Sequence, residues 1–356
     1  MRKKIIKIMS MTTVLLCIST VTNIKVINRL SGMQIAFAST LSGNYTDSQG
    51  VNYVLYSDGT AEVKAGSYNG TSGTFPGSYV TGSTIRIPKS INNGGTEYKV
   101  TQIGEYAFYN RSSINNIIID ADIDDVGDCA FYSVENVNKV EFNGDTKILG
   151  YRMFEGCKSL ETVKLPNSLV EIKNRAFYNC NSLEELDMIN CKLETIGNDV
   201  FSYTKLKKIV IPEGVTSRVN FNNCSELVEI YLPDTVTGFT LSPLLGSNKV
   251  EIIKCSPQVA SSNMALNYSV NLYNKDETEI LASYRVKSGI NFLTYANEVG
   301  KGWTKISGSP IANITANSEF KCDSVIGDKI KLNSPTITTN KVTAANREKG
   351  VTVTIN

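Results

Sequence analysis

The side chains best equipped for chemistry in this sequence are its cysteines and acids, and the spacing of neither completes a site. The chain has eight Cys and no His. A thiol nucleophile needs a base beside it, and the absence of His removes Ser-His-Asp triads, His metal ligands and His proton shuttles together. Zinc held by thiolates alone requires pairs two to four residues apart, and no such pair exists. Asp120, Asp122 and Asp124 have the one-three-five spacing of a calcium loop. Gly127 is misplaced for that loop, however, and Phe131 stands where its closing Glu belongs. An acidic turn is therefore expected, not a metal site. No phosphate-binding glycine loop and no G-x-S-x-G elbow occurs. These absences predict a chain without catalytic residues, metal or cofactor.

The order in the sequence lies at a longer interval. Phe108, Phe131, Phe154 and Phe177 are each 23 residues apart; Phe201 follows 24 later, Phe221 20 later, and Leu244 takes the same place 23 beyond. Five before this anchor stand Ile103, Val126, Leu149, Ile172, Ile196 and Phe239, with Thr216 the exception. Six, nine and eleven after it come aliphatic columns such as Leu160, Val163 and Leu165, then Leu183, Leu186 and Met188. A fixed period in the twenties with L-x-x-L-x-L spacing is the signature of leucine-rich repeats. One such unit cannot bury its apolar side alone, so successive units must pile up with each column as a buried ridge.

Strand alternation then sorts the remaining positions. The residues nine and eleven after the anchor point inward, and those eight and ten after it point out. The outward rows contain Ile118, Lys139, Glu141, Lys164, Asp187, Lys208, Val210, Glu229, Tyr231, Ile252 and Lys254. Their charges alternate in sign between neighbouring units. Lateral pairing that only keeps the sheet soluble explains this, since an exposed pair is worth about 0–1 kcal/mol. A recognition surface explains it equally, with Ile118, Val210, Tyr231 and Ile252 as its apolar anchors. Cys157, Cys180 and Cys224 all sit three after their anchors. Adjacent units bring Cys157 and Cys180 within reach of a disulfide. Parallel strands ~4.8 Å apart suit that bond poorly, so buried free thiols are expected.

The segments "IGEYAFYN", "VGDCAFYS", "FEGCKSLETVKLPNSLVEI" and "IKNRAFYNCNSLEELDM" resemble the BspA-like, Treponema-type leucine-rich repeats of secreted and surface proteins. Pro166, Pro212 and Pro233 fall where that family has its proline after the strand. The resemblance spans residues 83–257. It implies a solenoid, export and binding to a protein or host surface, and it implies no catalysis.

The ends differ from this pattern. Arg2, Lys3, Lys4 and Lys7 precede an apolar run from Ile8 to Val21, and Ala36-Phe37-Ala38 follows, the order of a secretory leader cleaved after Ala38. Residues 1–38 hold six basic and no acidic residues, so their removal leaves 30 basic against 34 acidic, a net charge of −4. That balance argues against a nucleic-acid partner. No second apolar run of spanning length follows, so no transmembrane segment is expected in the mature chain. Residues 39–99 read as an N-terminal cap, with a hairpin around Ser57-Asp58-Gly59 and a degenerate unit at Ile85 and Ile87. Residues 100–257 are the repeats. Residues 258–356 read as a small all-β domain, with the single Trp, Trp303, expected in its core. The predicted fold class is a β-rich leucine-rich-repeat solenoid with coils of about 23 residues, an N-terminal β-hairpin cap and a small C-terminal β domain. The expected function is adhesion: an exported protein binding a protein or glycan ligand on a host or cell surface. Its alternatives are a carbohydrate-active or carbohydrate-binding C-terminal module and a structural surface scaffold.

Overall fold

The computed structural model describes residues 24–25, 39–64, 80–236, 244–257, 266–292 and 303–322. The proposed leader lies outside them, apart from Ile24–Lys25. Every element described is a β-strand, and among the described residues no helix is long and apolar enough to cross a membrane.

Each repeat unit contributes to three walls. The first is a parallel strand ladder, Thr84–Ile87, Asn116–Ile119, Lys139–Phe142 and Thr162–Lys164, in which each residue pairs with its equivalent in the next unit. Ile85, Ile87, Ile117, Ile119, Val140 and Phe142 point inward and are buried, as period-two alternation requires. The ladder lapses in the unit of Phe177. There the Asp187 carboxylate accepts the Ile189 N–H at 3.0 Å, a local turn that competes with strand pairing. Leu186 and Met188 stay buried even so. The ladder resumes at Lys208–Val210, Glu229–Tyr231 and Ile252–Cys255.

The second wall is another parallel ladder, Ile123–Asp125, Thr146–Leu149, Glu171–Ile172 and Thr195–Ile196. Ile103 bridges to Val126 at its start. Through Ile103 it meets a six-stranded sheet ordered Ile24–Lys25, Ser39–Thr46, Asn52–Tyr56, Thr60–Val63, Thr96–Ile103, Ser90–Asn93. Units approach closely on this side. A Cβ on Gly150 would stand 2.4 Å from the Val126 carbonyl oxygen, so only glycine fits.

The third wall holds the anchors. Phe108, Phe131, Phe154, Phe177, Phe201 and Phe221 are all fully buried. Phe108 and Phe131 stack with centroids 5.1 Å apart, Phe131 and Phe154 at 5.4 Å, and Phe154 and Phe177 at 5.6 Å. Each such ring contributes roughly 1.5–3 kcal/mol by leaving water. Left-handed residues flank the anchors. Two before stand Tyr106, Cys129, Arg152, Arg175 and Asp199; two after stand Asn110, Ser133, Gly156, Asn179, Tyr203, Asn223 and Gly246. Each non-glycine among them costs about 1–2 kcal/mol. The kinks aim backbone N–H groups at the following unit: Tyr106 donates to Asp128 O at 3.1 Å, Phe108 to Ala130 O at 2.7 Å and Asn110 to Tyr132 O at 2.9 Å. The same three bonds recur in the units of Phe131, Phe154 and Phe177, so backbone hydrogen bonding offsets the strain.

Cys157, Cys180 and Cys224 belong to this wall. The Cys157 thiol donates to Phe131 O at 3.2 Å, Cys180 to Phe154 O at 3.3 Å and Cys224 to Phe201 O at 3.1 Å. Each ties its unit to the previous anchor, and Cys129, Cys157, Cys180, Cys191, Cys224 and Cys255 are free thiols.

After the last repeat strand the sheet changes direction. Ile280–Val286 pairs antiparallel with Ile252–Cys255, and Tyr268–Tyr273, Ser318–Cys322 and Trp303–Ser307 follow in that order, completing seven strands. The side chain of Trp303 lies outside the described residues. A second hydrophobic cluster forms here from Val270, Leu272, Tyr284, Val286, Phe292, Ile314 and Phe320.

Candidate functional site

The outward face of the strand ladder divides into an open half and a covered half. In the open half Ile118 is half-buried and Lys139 and Lys164 are exposed. The parallel register sets Glu141 beside Ile118 on one side and Lys164 on the other. Lys139 reaches Glu141 in its own strand at 2.6 Å, and the Lys164 ammonium donates to Asn143 Oδ1 at 2.9 Å. The lateral Glu141–Lys164–Asp187 alternation read from the sequence is thus replaced by contacts within a strand and with a loop. Asp187 is exposed but engaged by its own turn. Arg86, absent from the predicted set, pairs with Ile118 in register and extends the face by one strand. Its guanidinium meets the Asp120 carboxylate. Arg86 and Asn143 together hold that carboxyl below its usual range against the opposing effect of burial. The acid that begins the candidate calcium loop is therefore already engaged by Arg86 and Asn143, and Asp122 accepts the Asp145 N–H at 3.1 Å.

The covered half corrects an expectation. Val210, Tyr231 and Ile252, read as exposed, are 0 %, 2 % and 0 % accessible. They do point out from the repeat units, as alternation demands, but the antiparallel strands extend the same sheet, and apolar side chains from them and from the loops that follow gather with these three in one buried cluster. Ile252 lies opposite Val286, and the three side chains join the cluster of Val270, Tyr284, Phe292 and Ile314. Lys208 and Glu229 form the border. Their charges are 3.1 Å apart, the Lys208 ammonium is 4.8 Å from the Tyr231 ring centroid, and the Tyr231 hydroxyl donates to Glu229 at 2.9 Å. Lys254 is half-buried and paired in register with Tyr284. Of the predicted set, only Ile118, Lys139, Glu141 and Lys164 come together on one open surface.

A second surface was not foreseen. Outward positions beside the anchors hold Tyr106, Tyr109, Tyr132, Tyr151, Arg152, Arg175, Tyr178 and Tyr203, around the buried Glu155. The repeat alignment could have shown it, because Tyr109, Tyr132 and Tyr178 each stand one residue after an anchor.

Six copies of the BspA type leucine rich repeat region match residues 101–220. This stretch of the chain is similar to the BspA-type leucine-rich-repeat family. The match lies within the span where parallel register and anchor stacking repeat. No curated protein matches the chain. Among solved structures, a leucine-rich-repeat protein of T. pallidum is 22 % identical with a TM-score of 0.39, covering 58 % of this chain and 79 % of that one. A leucine-rich cell surface protein of Faecalibacterium prausnitzii is 18 % identical with a TM-score of 0.25, covering 60 % and 95 %. The pneumococcal vaccine antigen PcpA is 15 % identical with a TM-score of 0.34, covering 65 % and 73 %.

Proposed function

We propose that this chain is an exported, non-catalytic adhesion protein whose BspA-type repeats wind into a capped solenoid and hold a protein ligand of a host or cell surface. Leucine-rich repeats offer extended rigid surfaces built for protein contact. The basic and apolar leader supports export, the sheet of residues 39–63 supports an N-terminal cap, and the strands from Tyr268 to Cys322 support a separate terminal β unit. The binding face is the open half of the strand ladder, from Thr84–Ile87 to Thr162–Lys164, with Arg86, Ile118, Lys139, Glu141 and Lys164 as its contact residues.

One observation supports that choice: the outward face of the four N-terminal strands is open, whereas that of the last three is sealed by the second hydrophobic cluster. A face of four strands ~4.8 Å apart is roughly 15–20 Å wide. The test immobilises residues 39–356 and screens purified serum and matrix proteins. For any ligand captured, Ile118→Ala, Lys139→Ala and Lys164→Ala together should weaken binding at least tenfold, about 1.4 kcal/mol. Unchanged affinity in a folded triple variant removes the face from consideration.

A further inference from the structure

The anchor wall has its own outward surface, and its composition changes along the chain. The buried Phe column persists through every unit from Phe108 to Phe221 because stacking requires it. The column one residue after the anchor, in which Glu155 and Ser202 are buried, behaves differently. It reads Tyr109, Tyr132, Glu155 and Tyr178, then Ser202, Asn222 and Leu245. If the tyrosines served the stacking of units, the column would continue as the Phe column does. It ends instead, and the aromatic stretch closes at Tyr203.

Within the stretch the rings are locked against each other. Tyr109 stacks on Tyr132 with centroids 5.4 Å apart and planes 15° apart. Tyr106 meets Tyr109 edge-on at 6.0 Å, and Tyr203 meets Tyr178 edge-on at 5.2 Å. The Arg152 guanidinium lies 5.0 Å from the Tyr151 centroid, and that of Arg175 lies 5.0 Å from Tyr178. The guanidiniums of Arg152 and Arg175, each carried on a tyrosine ring, are the charged donors of this wall. Tyr151 is 36 % and Tyr203 44 % exposed, two of the five exposed large hydrophobic side chains among the described residues.

The charges set the sign of the partner. Arg152 and Arg175 flank one carboxylate, Glu155, which is buried and 3.3 Å from Arg152 Nε. Burial raises the Glu155 carboxyl, and both guanidiniums oppose that shift. Asp128 and Lys173, 3.9 Å apart at the rim, offset each other. Arg152, Arg175 and Glu155 together carry a net charge of +1, two positive against one negative, and the two guanidiniums are planar donors suited to bidentate carboxylate binding. Tyr and Arg are also the residues that dominate protein hot spots, and rings fixed beforehand lose little entropy on binding.

We propose that the wall between Tyr106 and Tyr203 is a docking surface for a carboxylate-rich protein segment, received by Arg152 and Arg175 and framed by the locked tyrosines. It lies apart from the strand face and does not depend on the binding proposed there.

The test uses the chain from residue 39 onward and phage-displayed random peptides of about a dozen residues. Selection should enrich peptides rich in Asp and Glu. Arg152→Ala with Arg175→Ala should weaken them by about tenfold or more. Arg152→Lys with Arg175→Lys should give an intermediate loss, because charge survives but the planar fork does not. The strand-face triple variant should bind them unchanged, which separates failure here from failure of the adhesion face. If the arginine-to-alanine variant does not fold, Tyr151→Ser with Tyr203→Ser, both at exposed side chains, should lower affinity in its place. Enrichment of neutral or basic peptides overturns the proposal. So do acidic peptides that bind the alanine variants equally, or an oligothymidylate that binds the wall in their place.

Discussion

The side-chain amide of Gln49 closes both backbone groups of Arg86: Nε2 donates to the Arg86 carbonyl at 3.1 Å, and Oε1 accepts the Arg86 N–H at 2.9 Å. Arg86 lies on the outermost strand of the first parallel ladder. Its outward groups would otherwise form an open sheet edge, a template for a strand of another molecule. Gln49→Ala should cost about 1–2 kcal/mol, the net worth of two such bonds. It should also promote concentration-dependent association. Sedimentation velocity over a wide loading range checks this; a variant that stays monomeric at high concentration shows that the edge is guarded by something else.

The stacked anchors make a graded prediction. Phe154 lies between Phe131 and Phe177, so Phe154→Ala opens a cavity and removes two stacking contacts. The expected loss is about 3–5 kcal/mol. Phe154→Leu should cost far less, since Leu244 fills the same place in the last unit and is buried. Urea denaturation of both variants gives the comparison. Equal losses would mean that the ring itself, and not the filled volume, holds the units together.

The thiols give a pH dependence with a fixed sign. Burial pushes Cys191 and Cys224 up to about 11 and Cys255 up to about 12, from an ordinary value of 9.0. Cys157 and Cys180 are raised further by the same cause. A buried neutral thiol is equally protonated in both states below pH 9. Above that the unfolded chain loses its protons first, so stability should fall from about pH 9 upward until the folded values are reached. At pH 8 the thiolate fraction of Cys191 is on the order of one in a thousand. Mass spectrometry after iodoacetamide treatment should find Cys157 and Cys180 unmodified in the native chain, with half-buried Cys191 reacting before either.

Much of the repeat was legible because its physics is one-dimensional. Phe131 and Leu160 are buried for the reason their spacing announces, since a column that recurs at one interval must face its own copies. The left-handed pair around each anchor was only half legible. Asn110, Gly156, Asn179, Asn223 and Gly246 advertise such a conformation, whereas Tyr106, Arg152 and Arg175 do not, and there the backbone bonds between units override local preference. The binding face was misjudged for a related reason. Alternation states which way Val210 and Ile252 point but is silent on what lies above them. Their partners in the second cluster come from residues 270–292 and 314–320, joined by antiparallel pairing that no repeat pattern encodes. The apolar character of Val210, Tyr231 and Ile252 on a charged face was itself the signal, and it marked a buried contact within the chain.

That reassignment separates packing from binding in one experiment. Ile252 is fully buried opposite Val286, and Tyr231 is buried beside it. Ile252→Asp places an unpaired carboxylate in the second cluster and should cost more than about 3 kcal/mol locally. The first cluster, through Phe108, Phe131 and Phe154, shares no residue with the second. Loss should therefore stay confined to the C-terminal strands, and limited proteolysis should release them while the N-terminal sheet and the repeats up to Cys255 resist. Were Ile252 part of an exposed ligand face, the same substitution would leave the digestion pattern unchanged and alter binding alone. A wild-type protease pattern for Ile252→Asp would therefore restore the exposed reading of Val210, Tyr231 and Ile252.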